Sequence, residues 1–202
     1  MMRKGEQTKQ TILSHASQVF SVQGYAGASM DDLTRAAHLT KGGLYNHFDS
    51  KDDLALASFD HTMGLVRTRF EGMAKGLRDT RARLRAVLDL YVSLLEDPVV
   101  TGGCPILYTA VEADDTHPAL RERAQIAADS WHDYIIRTLV KGIELGTVKP
   151  DIDPTTTSEL FLAALEGAIV LSKLYGDNAI MGRIVANLTQ TIEGLLVKPG
   201  AE

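Results

Sequence analysis

Ile12, Leu13, Ala16, Val19 and Phe20 share one face of a helix. The same spacing of three and four returns in almost every stretch of the 202-residue chain. Alternation of the strand type is nearly absent. A chain written this way buries its apolar residues by packing helix on helix, which makes the expected fold class all-α. Hydrophobic residues make up 45% of it and charged residues 23%, enough for one sizeable core or two modest ones.

Capping signals divide the periodic stretches. The first helix is expected over about 6–22, closed by Gly24. Ser29-Met-Asp-Asp32 sets a capping hydroxyl and a first-turn acid before a short helix through Leu33, Ala36 and Ala37. His38-Leu39-Thr40 interrupts it, and Thr40 caps the next helix, expected over 41–48. Ser50-Lys-Asp-Asp53 repeats the signature ahead of a long helix through Leu54, Ala57, His61, Leu65 and Phe70. Further helices are expected at about 81–96, 106–112 and 118–145. Asp153 and Pro154 open the next, which Gly176 ends, and a last helix covers about 178–197. That is about nine helices: a three-helix head over 1–50, then a helical body over 51–202.

Charge is distributed unevenly. Up to Ser50 the chain has five Lys or Arg against four Asp or Glu, a net +1, so the remainder carries a net −6 behind the overall −5. Any anion-facing part is therefore expected at the N-terminal end. No apolar run approaches the roughly 20 residues that span a bilayer, and no leader pattern opens the chain, which points to a cytoplasmic protein with no membrane partner. The single cysteine, Cys104, leaves no internal disulfide to form.

The short stretch Thr40-Lys-Gly-Gly-Leu-Tyr-Asn-His-Phe48 carries the chemistry. Two short helices joined by a tight turn are the pattern of a helix-turn-helix, whose second helix enters the major groove by its N-terminal end. Gly42 and Gly43 let the backbone approach the bases. Lys41 reaches a guanine edge or a phosphate, and both remain open. Leu44 and Phe48, four apart, face the head's core. Tyr45, Asn46 and His47 then face the groove walls as phosphate donors. Helix starts near Ser29 and Ser50, with Lys51 beside the second, are further anion sites.

From Gly24 to Leu54 the chain closely resembles the DNA-binding head of the tetracycline-repressor (TetR) family of transcriptional regulators. The marks are Gly24-Tyr25, Lys41-Gly42, Leu44-Tyr45, His47-Phe48 and Ser50-Lys51. The resemblance implies DNA-facing roles for Thr40, Lys41, Gly42 and Gly43, and phosphate roles for Tyr45, His47 and Lys51. His38 departs from it at a turn position where glycine is common. Asp31 departs where many relatives carry a basic residue.

In the body, Leu160, Phe161, Ala164, Leu165, Ala168, Ile169 and Leu171 form a broad stripe, answered by Met181, Ile184, Leu188, Ile192 and Leu195. From pattern alone this is ordinary core packing. The resemblance implies a homodimer through the last two helices, with Phe161, Ala164, Leu165, Ala168, Ile184, Leu188 and Ile192 at the interface. It also implies a small-molecule effector among the middle helices, where Phe59, His61, Met63, Tyr91, Cys104, Tyr108, Trp131 and His132 are the candidates. Cys104 is either a small apolar group at a helix start or a low-pKa thiol that senses electrophiles or oxidants.

The expected function is thus a ligand-responsive regulator, most simply a repressor, that binds a palindromic operator in double-stranded DNA as a homodimer. A thiol sensor on the same scaffold, or a helical adaptor that does not bind DNA, are the alternatives. An enzyme is not expected: there is no phosphate-cradling glycine loop, no Ser/His/Asp arrangement and no Glu-x-x-His pair. Glu112 to His117 lacks the paired spacing of a metal site, and no cofactor is implied.

Overall fold

Caps set the helix boundaries, and most fall where the sequence puts them. The computed structural model describes residues 4–113 and 117–197. Among these the helices are α1 (Lys4–Gly27), α2 (Met30–Ala36), α3 (Lys41–Tyr45), α4 (Lys51–Ala74), α5 (Thr80–Glu96), α6 (Pro105–Ala113), α7 (Pro118–Glu144), α8 (Pro154–Tyr175) and α9 (Ala179–Leu195). Ser29 and Asp32 form a complete capping box, and Asp153 accepts from the Thr155 N–H with Pro154 at the first helical position. Gly176 ends α8 in the left-handed region at φ 62°.

Two boundaries differ from the expected ones. Helix α1 is broken at Gly24 rather than closed there: φ 73° and ψ 172° interrupt it, and a last turn follows to Gly27. Helix α3 stops at Tyr45, because Asn46 and His47 turn back to the Gly42 and Leu44 carbonyls. An antiparallel bridge between Val148 and Leu196, flanked by the Lys149 N–H to Leu195 carbonyl bond at 2.9 Å, is too short to leave a periodic mark.

The chain divides into two compact units, Met1–Arg67 with Pro98–Ala127 and Thr68–Asp97 with Ala128–Glu202. The boundary expected near residue 50 is therefore not where the packing divides. The first unit takes the start of α4, α6 and the start of α7 along with α1–α3. Its core joins Ile12, Leu13, Ala16 and Phe20 to Leu33, Leu44, Phe48, Leu54 and Phe59, and reaches Ala113, Leu120 and Ala124. Apolar faces that stop at the head's three helices would have left α4 and α6 residues with nothing to cover them.

In the second unit α5, α8 and α9 pack on one another. Phe70 meets Trp131 and Tyr134 edge-to-face at 4.9 and 4.8 Å, and the Tyr91 hydroxyl donates to Glu166 at 2.8 Å. The expected interface residues are mostly covered within the protomer. Phe161, Leu165, Ala168, Leu188 and Ile192 are buried within the protomer itself, Ala168 at 1% exposure, while Ala164 and Ile184 are half-buried. The apolar ridge that α8 leaves outward is Leu160, Ala163, Gly167, Leu171 and Leu174, with Leu174 72% exposed and Tyr175 beside it. The broad stripe has two halves, and the sequence does not say which half turns inward. Among the described residues, no helix is long and apolar enough to cross a membrane.

Candidate nucleic-acid interface and ligand cavity

Helix α3 buries one side and presents the other. Leu44 and Phe48 sit in the first unit's core, whereas Thr40, Lys41, Gly42, Tyr45 and Asn46 are exposed. Thr40 caps the helix by accepting the Gly43 N–H at 3.1 Å. A Cβ on Gly43 would press on that Thr40 hydroxyl at 3.3 Å, but one on Gly42 would meet nothing within 4 Å. Nothing inside the chain requires glycine at 42.

The surrounding charges are partly committed. The Lys41 ammonium pairs with Asp31 at 2.8 Å, and that hydrogen bond holds its pKa above the usual lysine value. Lys51 lies with its ammonium 4.4 Å from the centre of the Tyr25 ring. His47 is half-buried. Ser29, expected at an anion site, is bonded within its own helix start. Its N–H donates to Asp32 and its hydroxyl bonds the same carboxylate, which keeps the Asp32 pKa low and places a negative charge at that helix start. His38 takes φ 54° in the turn, the left-handed conformation that a glycine would adopt more cheaply.

Behind this face, α6 is tied to α1 by a carboxylate. Both Glu112 oxygens accept backbone N–H groups, from Tyr25 and from Ala26, each at 2.7 Å. The break at Gly24 exposes those two donors as a small anion nest. A Cβ at Gly24 would lie 2.5 Å from Glu112 Oε1, so close approach and the positive φ both require glycine. Tyr25 continues the chain of contacts. Its hydroxyl donates to Asp52, and burial first, then Asp52, push its pKa up to about 12. Its ring meets His117 edge-on at 4.5 Å.

A cavity opens among these groups, about 450 Å³ including the part open to solvent. Phe20, Ala55, Phe59, Ala113 and Leu120 supply apolar wall, and Ser17, Ser58, Thr62, Glu112 and His117 supply polar atoms. Of the expected effector residues it gathers Phe59 and Tyr108; burial raises the Tyr108 pKa, with the charges of Cys104 and Glu112 adding to it. His61, Met63, Tyr91, Cys104, Trp131 and His132 do not line it. Tyr91 is bound to Glu166, and His132 shares a 3.0 Å hydrogen bond with Ser158 in the second unit. Cys104 is buried just before α6, at 4% exposure.

Glu112, Tyr25, His117 and Ser58 were not marked as site residues by the sequence. Glu112 and His117 belong to a run that reads as a solvated acidic loop, of which Asp114 and Asp115 lie outside the described residues. The usable signal was the pairing of Gly24 before an aromatic with an isolated acid on an apolar helix, 88 residues apart by number and adjacent only once folded.

Known proteins carry the same architecture. The family described as Bacterial regulatory proteins, tetR family, matches residues 12–58, and the Tetracyclin repressor-like, C-terminal domain matches residues 80–188. A TetR transcriptional regulator from Chloroflexus aurantiacus J-10-FL is 38% identical, with TM-score 0.92, over 96% of this chain and 98% of that one. A TetR-family regulator from Cytophaga hutchinsonii is 35% identical, with TM-score 0.87, over 98% and 99%. The HTH-type transcriptional repressor DhaR of Mycobacterium sp. (strain GP1) is 25% identical over 93% of this chain and 92% of its own length. With an outward-facing helix-turn-helix on a helical scaffold, the chain belongs to the TetR family of transcriptional regulators.

Proposed function

We propose that this protein is a cytoplasmic repressor that binds a palindromic operator as a homodimer and leaves it when a small molecule enters the first unit's cavity. The observation that carries the DNA reading is Gly42. It stands at the exposed start of α3, beside Thr40 and Lys41, where the protein itself has no use for the missing side chain. Close approach of bases explains it. Tyr45, Asn46, His47 and Lys51 flank that start as phosphate donors. A dimer sets two such helices on successive major-groove faces, and the outward ridge of α8 supplies its apolar contact.

The effector reading rests on the cavity's walls. Glu112 and Tyr25 belong both to the cavity and to the ties that hold the last turn of α1. A ligand with different affinity for the two arrangements of those ties shifts the population that fits DNA, by no more than that difference. The test is selection from a random duplex pool with the purified full chain, beside a Lys41→Ala/Tyr45→Ala variant. A two-fold symmetric consensus, lost in the variant, is the expected outcome. A folded protein that enriches no sequence at low salt refutes the reading.

A further inference from the structure

Two residues that line the cavity each bury a hydrogen-bonding atom that has no partner among the described residues. His117 is 7% exposed, and its Nδ1 accepts the Leu120 N–H at 3.1 Å, so the ring proton sits on Nε2. That Nε2 is buried and, among the described residues, has no hydrogen-bond partner; Asp52 Oδ2 is 3.9 Å away, beyond hydrogen-bond range. Ser58 Oγ, at 2% residue exposure, is likewise without a partner, although the Ser58 carbonyl accepts from both Ser17 at 3.1 Å and Thr62 at 2.9 Å. Native proteins rarely bury such atoms idle, because each forfeits its hydration.

The remaining lining decides what satisfies them. The walls beside these donors are aromatic and aliphatic, so most of an occupant's surface must be apolar. Glu112 faces the space as a carboxylate and Asp52 stands near His117, so an anion meets repulsion. A cation without a lone pair leaves the His117 Nε2–H donor unmet, and both Glu112 oxygens already accept backbone N–H groups at 2.7 Å. We infer that the cavity selects a small, uncharged, largely apolar molecule with one hydrogen-bond-accepting oxygen, such as a ketone, held by His117 Nε2–H and Ser58 Oγ–H. This rests on the reading of the cavity as the effector site and names the chemistry of what fills it.

The test is run on the full-length protein without DNA, so it stands apart from operator binding. Cyclohexanone is titrated against methylenecyclohexane, cyclohexylammonium and cyclohexanecarboxylate, following the backbone and imidazole nitrogen resonances. Cyclohexanone is expected to bind about tenfold tighter than the oxygen-free isostere, the equivalent of one neutral hydrogen bond. Its binding is expected to shift the His117 Nε2 resonance, and both charged probes to bind more weakly. In His117→Ser, which keeps a capping oxygen for the Leu120 N–H, the preference for the ketone should fall to near unity. Ser58→Ala should reduce it without disturbing that cap. Equal binding of ketone and isostere, a charged probe that wins, or a preference that survives both substitutions overturns this inference alone. A folded protein that binds none of the four overturns it together with the effector reading of the cavity.

Discussion

Gly24 answers two demands at once: a backbone conformation that side chains avoid, and a carboxylate within bonding distance of where a Cβ would stand. Gly24→Ala should destabilise the chain by at least about 2 kcal/mol, lowering Tm by about 4–8 °C in a circular dichroism melt. Glu112→Gln keeps the shape but loses one charged acceptor, and should fall between wild type and Gly24→Ala. His61 makes a different prediction. Partial burial lowers its pKa, so in mild acid the unfolded chain takes up a proton that the folded chain refuses. Stability should therefore fall as pH drops below about 6.5, and His61→Asn should flatten that fall in urea titrations from pH 7 to 5. Gly24 was legible as a helix-closing residue, because glycine announces a backbone need. Its partner was not legible, because nothing local to Glu112 says that it reaches a backbone so far away in sequence.

Among the elements, α2 and α3 share the Lys41–Asp31 pair, which any DNA phosphate must compete with. Asp31→Asn should raise affinity for the selected duplex at low salt and steepen the log–log salt dependence by about one. An unchanged slope would mean that Lys41 does not meet phosphate. Helix starts were the most legible part of the fold, since Ser29, Thr40, Ser50 and Asp153 each advertise a cap. Helix ends were less so: α3 stops at Tyr45 through backbone bonds from Asn46 and His47, which any residue types could make. The left-handed His38 shows the same limit in reverse. The turn kept its geometry although the residue that usually marks it is missing.

At the scale of the whole molecule, the two faces of α8 let the proposed association be tested apart from folding. Leu174→Glu should leave the melt of the protomer near that of wild type, yet yield a monomer by sedimentation and weaken binding to the palindrome. Ala168→Arg, by contrast, forces a long charged side chain into the protomer's core and should cost folding itself. A Leu174→Glu protein that sediments as a dimer would remove this ridge from the interface. The wide stripe was legible from sequence, but its rotation was not, because the charged residues that would mark the outside of α8 include Glu166, which turns inward to meet Tyr91.

The first unit is written in two pieces of chain, with the Thr68–Asp97 stretch of the other unit between them. Recombination between relatives feels this directly. A crossover anywhere from residue 28 to residue 111 takes Gly24 from one parent and Glu112 from the other, so a hybrid regulator inherits a nest without its anion whenever the second parent has another residue at that position. Shuffling heads and bodies to rewire a bacterial circuit should therefore succeed most often when these two residues travel together.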